Sequence, residues 1–156
     1  MKFTFLNVGR SKFSFVEGGL KHYLENIRHL ADEAEIVDLR DHGSNKEKEA
    51  EAFLEALAKR KLLDGKARVF LLDERGKTYS SGEFARQLEV LQDQGVQRFA
   101  FLVGGAYGFT DEMRARFSLL SLSKMTFPHD VARVLIAEQV YRALHILSGG
   151  KYHHGD

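Results

Sequence analysis

Two stretches have the side-chain types and spacing for chemistry: Phe-Leu-Val-Gly-Gly-Ala-Tyr-Gly-Phe at 101–109 and Leu-Ser-Leu-Ser-Lys-Met-Thr-Phe-Pro-His at 120–129. The first is an apolar run of strand length that breaks at Gly104 and Gly105, where a backbone without Cβ lets another group approach. The second interleaves small hydroxyl residues with apolar ones and stops at Pro128, the only proline. Loops of this kind offer peptide N–H and C=O groups to a ligand, and side by side they would form a pocket. A glycine pair after a buried strand is also common as a plain tight turn. Gly-x-Gly-x-x-Gly, Gly-x-x-x-x-Gly-Lys-[Ser/Thr] and Gly-x-Ser-x-Gly are all absent, so dinucleotide, P-loop and hydrolase readings have no anchor.

The titratable residues nearest these stretches are His129, at the entry of a helix, and Arg133, one turn further on. Arg133 is the better candidate for touching a substrate, whereas His129 could equally be a capping residue. Glu138 and Arg142 have i,i+4 spacing and read as a surface ion pair. Tyr152, His153 and His154 close the chain and could supply stacking and proton handling if a second subunit or an RNA orders them. Adjacent histidines in an extended tail point apart, which argues against a metal site there.

These residues need elements to position them. Lys2 to Val8 reads as a strand, and Val16, Leu20, Leu24 and Ile27 then fall at helical spacing despite Gly18 and Gly19. A strand at 34–39, a helix at 46–61 and a strand at 68–73 follow, the last with a Val-Phe-Leu-Leu core that looks buried on both faces. Glu74 to Tyr79 reads as a polar loop. Ser80 with Glu83 fits a capping box for the next helix, and a strand at 98–103 runs into the glycines. Thr110 caps a short helix, 119–122 is a possible fifth strand, and a long helix runs from Pro128 to Gly149. Alternation of strands and helices implies an open, mostly parallel sheet covered by helices on both faces, an α/β fold with ligands beyond the carboxyl ends of its strands. That rule selects three loops, after Asp73, Gly104 and Leu122.

At 156 residues the chain suits one domain, 1–156. It has no cysteine, which excludes disulfides and thiolate-bound zinc. No window approaches the roughly 18 apolar residues of a membrane span, and a cytoplasmic protein without metal is expected. A net charge of +1 argues against non-specific coating of nucleic acid.

Leu71 to Asp73 with Gly76-Lys77, the glycine run, Leu-Ser-Lys-Met-Thr-Phe-Pro-His at 122–129, Val131 to Arg142 and the closing Tyr152-His153 together resemble the bacterial RlmH family over the full length. Many members of that family have Pro where Ala106 stands and Glu where Tyr107 stands, so the glycine loop departs from the pattern. The resemblance implies a SPOUT-class methyltransferase whose C-terminal segment is threaded as a trefoil knot, working as a homodimer. It implies S-adenosylmethionine as methyl donor and N3 of a pseudouridine in 23S ribosomal RNA as acceptor, on the assembled ribosome. Cofactor contacts are implied at Leu72, Gly104, Leu122, Ser123, Lys124, Met125, Thr126 and Phe127. Catalytic roles are expected for Arg142, Tyr152 and His153, and substrate contacts for His129 and Arg133. A SPOUT enzyme acting on transfer RNA, and a nucleotide- or ribosome-binding module without catalysis, are the alternatives.

Overall fold

A computed structural model describes residues 1–155. One five-stranded sheet, all parallel, has the order β2-β1-β4-β3-β5, with β1 at Lys2–Val8, β2 at Glu33–Leu39, β3 at Ala67–Thr78, β4 at Arg98–Val103 and β5 at Ser118–Ser121. Parallel neighbours require crossovers, and each is a helix: α1 at Ser14–Arg28, α2 at Lys46–Lys59, α3 at Ser81–Asp93 and α4 at Asp111–Arg116, with α5 at His129–Leu147 closing the chain. No helix among the described residues is long and apolar enough to cross a membrane.

The helices cover both faces, as the unbroken burial of β1 and the apolar runs of β3 and β4 demand. Val16, Leu20 and Ile27 of α1, Phe84 and Leu88 of α3, and Ile136 and Val140 of α5 bury one face. Phe53 and Leu57 of α2 and Met113 of α4 bury the other. On the first face, register sets phenylalanines side by side: Phe3 stacks on Phe99 at 5.5 Å, and Phe101 lies between Phe5 at 5.7 Å and Phe70 at 5.4 Å. Such pairs add about 0.5–1.5 kcal/mol each beyond their buried area.

Helix starts are where local chemistry acts most plainly. The Ser80 hydroxyl accepts from Glu83 N–H at 3.1 Å, and the Glu83 carboxylate accepts from Ser80 N–H at 2.8 Å, completing the expected capping box. The Asn45 and Thr110 side chains accept from Lys48 and Met113 N–H.

The expected polar loop at 74–79 is instead the continuation of β3, which extends to Thr78. Its partner is non-local: Leu120 of β5 pairs with Leu72 and again with Lys77, so the register jumps across the intervening turn. Gly76 makes that turn possible. A Cβ there would lie 2.5 Å from the Leu119 carbonyl carbon and 2.6 Å from Leu120 N, which no residue but glycine avoids.

Candidate functional site

Three segments converge around a cleft of about 350 Å³, the size of a small-molecule site: the stretch of β3 where its register with β5 jumps, and the loops beyond the carboxyl ends of β4 and β5. The walls are 72–75, 105–108 and 122–127, with Leu120 and Ala132 at the base. Leu72, Leu122, Ser123, Met125, Thr126 and Phe127 line it, as the sequence led us to expect. Gly104 is buried behind the wall, with Gly105 taking its place at the surface, and Lys124 is exposed outside the lining.

Short polar contacts fasten these loops to one another. The Thr126 hydroxyl donates to Glu74 Oε2 at 2.8 Å, tying the third wall to the first. Within the third wall, the Ser121 hydroxyl donates to the Ser123 carbonyl at 2.8 Å, and the Ser123 hydroxyl accepts from Met125 N–H at 3.0 Å. Gly108 N–H closes the glycine turn onto the Gly105 carbonyl at 3.1 Å, leaving Tyr107 exposed at its tip. Arg114 Nε donates to Asp73 Oδ2 at 2.7 Å and so links α4 to the middle of β3. Burial pushes the Asp73 carboxyl up, but Arg114 and the Arg75 N–H outweigh it and hold it below the ordinary carboxylate value. The cleft therefore offers backbone-rich rims and the apolar faces of Leu72, Leu122 and Phe127, a combination suited to a flat heterocycle carrying polar substituents. A second, smaller cleft of about 240 Å³ shares Leu120, Leu122 and Phe127 and extends toward Tyr79 and Gln139.

The two residues expected at the substrate lie outside the clefts. Arg133 is only 2% exposed, and its guanidinium donates to the Gly9 carbonyl at 2.9 Å and the Val8 carbonyl at 2.6 Å. It lines neither of the two clefts and fastens α5 to the end of β1 instead. His129, the first residue of α5, is partly exposed, with Nε2 at 3.6 Å from Asp130 Oδ2. It too lies outside the lining of both clefts.

Arg142, Tyr152 and His153 do come together, around a residue the sequence had assigned to the surface. Glu138 Oε1 accepts from Arg142 Nη2 at 2.7 Å, from Arg142 Nε at 3.0 Å and from the Tyr152 hydroxyl at 3.0 Å. The Glu138 side chain is only 14% exposed, so this hub is not a solvated pair. Arg142 also sits over the Tyr152 ring at 4.7 Å, and its Nη1 is 3.2 Å from His153 Nδ1. Guanidinium only donates, so Nδ1 is the acceptor in this contact. Burial, then the Glu138 and Tyr23 contacts, push the Tyr152 phenol well above its ordinary value, which makes it a donor at neutral pH and a poor base. Ten residues of α5 separate Arg142 from Ala132 at the cleft, about 15 Å along the axis at 1.5 Å per residue.

Sequence reasoning missed Glu49, a carboxylate 4% exposed that accepts from Gly105 N–H at 3.3 Å. A signal was available. Glu49, Phe53 and Leu57 recur every four residues on α2, which puts this one acid on the apolar stripe while Glu47, Glu51 and Glu55 point elsewhere.

Residues 1–153 match the family model described as a predicted SPOUT methyltransferase. A protein of Geotalea daltonii is 40% identical over 99% of this chain and 100% of its own length; one of Geobacter sulfurreducens is also 40% identical, over the same shares. One of Phocaeicola vulgatus is 39% identical over 99% of each. All three bear the name ribosomal RNA large subunit methyltransferase H. Among solved structures, a probable methylase family protein from Haemophilus influenzae superposes with a TM-score of 0.48 at 10% identity, covering 95% of this chain and 66% of that one.

Proposed function

The chain belongs to the SPOUT methyltransferase family, and from that premise we propose that it methylates ribosomal RNA of the large subunit at N3 of a pseudouridine, in the cytoplasm and on assembled ribosomes. The single observation that carries this reading is the convergence of 72–75, 105–108 and 122–127 on one cleft. S-adenosylmethionine is the cofactor of the family, and when bound it supplies an electrophilic methyl group on a sulfonium. The residues present fit it: Leu72 and Leu122 can pack on the adenine, and the peptide groups of 122–127 can hydrogen-bond its edge and the ribose.

Bound in this cleft, the cofactor would offer its methyl group to an acceptor nitrogen that has given its proton to solvent, and the chain's own residues would hold the two in line. Positioning is therefore the main task of the protein. Arg142, held in place by Glu138, is suited to stabilising an anionic base or gripping phosphate. Its separation from the cleft supports the homodimer reading, in which one protomer's Glu138–Arg142–Tyr152 cluster serves the cleft of the other. The tight crossing of Gly76 over the Leu119–Leu120 peptide supports a threaded C-terminal segment.

The test is methylation of ribosomes purified from cells lacking this modification, with the purified protein and S-adenosylmethionine. We expect one methyl group gained on a large-subunit pseudouridine, read by mass spectrometry of nuclease fragments. Label appearing on transfer RNA, or no methyl gain on any RNA despite cofactor binding, overturns the substrate assignment.

A further inference from the structure

Glu49 is costly where it stands. It lies in the first full turn of α2, beneath the glycine turn, and apart from the 3.3 Å contact from Gly105 N–H it has no ion pair with lysine or arginine among the described residues. The titratable groups around it are Asp41 and His42, from the loop after β2, and His129 at the start of α5. A carboxylate without a cation pays a desolvation penalty that an apolar residue or an amide would avoid. The other buried positions of α2 are Phe53, Ala56 and Leu57, so packing alone does not call for an acid.

The contact also dictates its neighbour. A Cβ at residue 105 would lie 2.8 Å and 2.9 Å from the two carboxylate oxygens, so any larger residue there would displace the acid from its place behind the turn. From Gly105 the geometry runs directly to the cleft, since its carbonyl closes the turn through Gly108 N–H, and residues 105–108 form one wall.

We propose that Glu49 is a positioning residue for methyl transfer, its carboxylate gripping Gly105 N–H from behind and fixing the 105–108 turn in the shape that receives the cofactor. This rests on the reading of the cleft as an S-adenosylmethionine site. A peptide N–H bonds a charged acceptor more strongly than an amide oxygen, so a carboxylate here would hold the turn by charge as well as by shape. Burial raises the Glu49 carboxyl above its ordinary value. A carboxyl so raised favours the fold most in its protonated form, and that contribution is lost as pH rises through the folded value.

Calorimetry with S-adenosylmethionine, steady-state methylation and thermal unfolding of the full chain test this together. Glu49→Gln should weaken cofactor binding about tenfold and raise KM for the cofactor by the same factor, while Tm at pH 7.5 stays level or rises. Wild-type affinity should fall as pH is lowered through the Glu49 titration, and the Gln variant should lose that dependence while keeping any due to His42 and His129. Gly105→Ala should weaken binding in the wild type yet add little in a Glu49→Ala background, where the methyl group has room. A Gln variant with lowered Tm and unchanged affinity overturns the proposal, because Glu49 would then be structural. Failure of the wild type itself to bind the cofactor would instead overturn the cleft reading beneath it.

Discussion

Arg133 and Arg114 are both arginines that join one element to another, but they answer to different tests. Arg133 satisfies the Val8 and Gly9 carbonyls from a buried position, so Arg133→Met should lower stability by about 2–3 kcal/mol in urea unfolding and leave KM for ribosomes unchanged in the folded fraction. Arg114 holds Asp73 at the cleft, with side chains 18% and 6% exposed. Arg114→Ala should cost about 2 kcal/mol and weaken S-adenosylmethionine binding, since Asp73 would face the cleft wall without its cation. The sign of its pH dependence follows from the depressed Asp73 carboxyl. Its stabilisation is complete above the unfolded carboxylate value, about 3.9, and is lost as pH falls through the folded value. The stability gap between wild type and Arg114→Ala, read by urea unfolding, should therefore narrow below about pH 4. At this scale the sequence was partly readable. The strand-end rule selected the neighbourhood and the family resemblance named Leu72, Leu122 and Phe127, and these three do line the cleft. The direction of a long side chain did not: nothing in the spacing of Arg133 says that its guanidinium turns back under β1, a contact made across 125 residues of chain.

Elements were legible wherever their cause is local. The capping box of Ser80 and Glu83 and the Thr110 cap are satisfied within one turn, and the apolar run of β4 suffices to make it a buried strand. β3 was read short because residues 73–78 are polar and partly exposed, and what makes them strand is pairing with β5 more than forty residues later. Gly76 records that pairing in a single residue. Gly76→Ala must push either the turn or the Leu119–Leu120 peptide aside, and we expect loss of about 3 kcal/mol or failure to fold, with circular dichroism and urea unfolding as the measurement. Gly65, whose added Cβ would meet nothing within 4 Å, is the control: Gly65→Ala should leave stability within about 0.5 kcal/mol.

At the scale of the whole molecule, the cleft lies at one end of the sheet and the Glu138–Arg142–Tyr152 cluster further along α5. If each active site draws on two protomers, a chain carrying Arg142→Ala and a chain carrying Gly105→Ala, assayed at S-adenosylmethionine too dilute for the second to bind, should regain activity when co-expressed. Random pairing gives about half mixed dimers, each with one intact site, or about a quarter of the wild-type rate. Purified mixed dimers with no activity would place both functions in one chain. Homodimerisation itself was suggested by family resemblance and not by any residue pattern, because an interface between copies leaves no mark on periodicity. The position of β5 carries one more implication, for biosynthesis. The outer edge of β3, Val-Phe-Leu-Leu, has no hydrogen-bonding neighbour until residues 118–121 have been made. A chain stalled or cut before them would expose an apolar, unpaired strand, so premature termination late in the message should yield aggregates and clients for chaperones, not a shorter soluble protein.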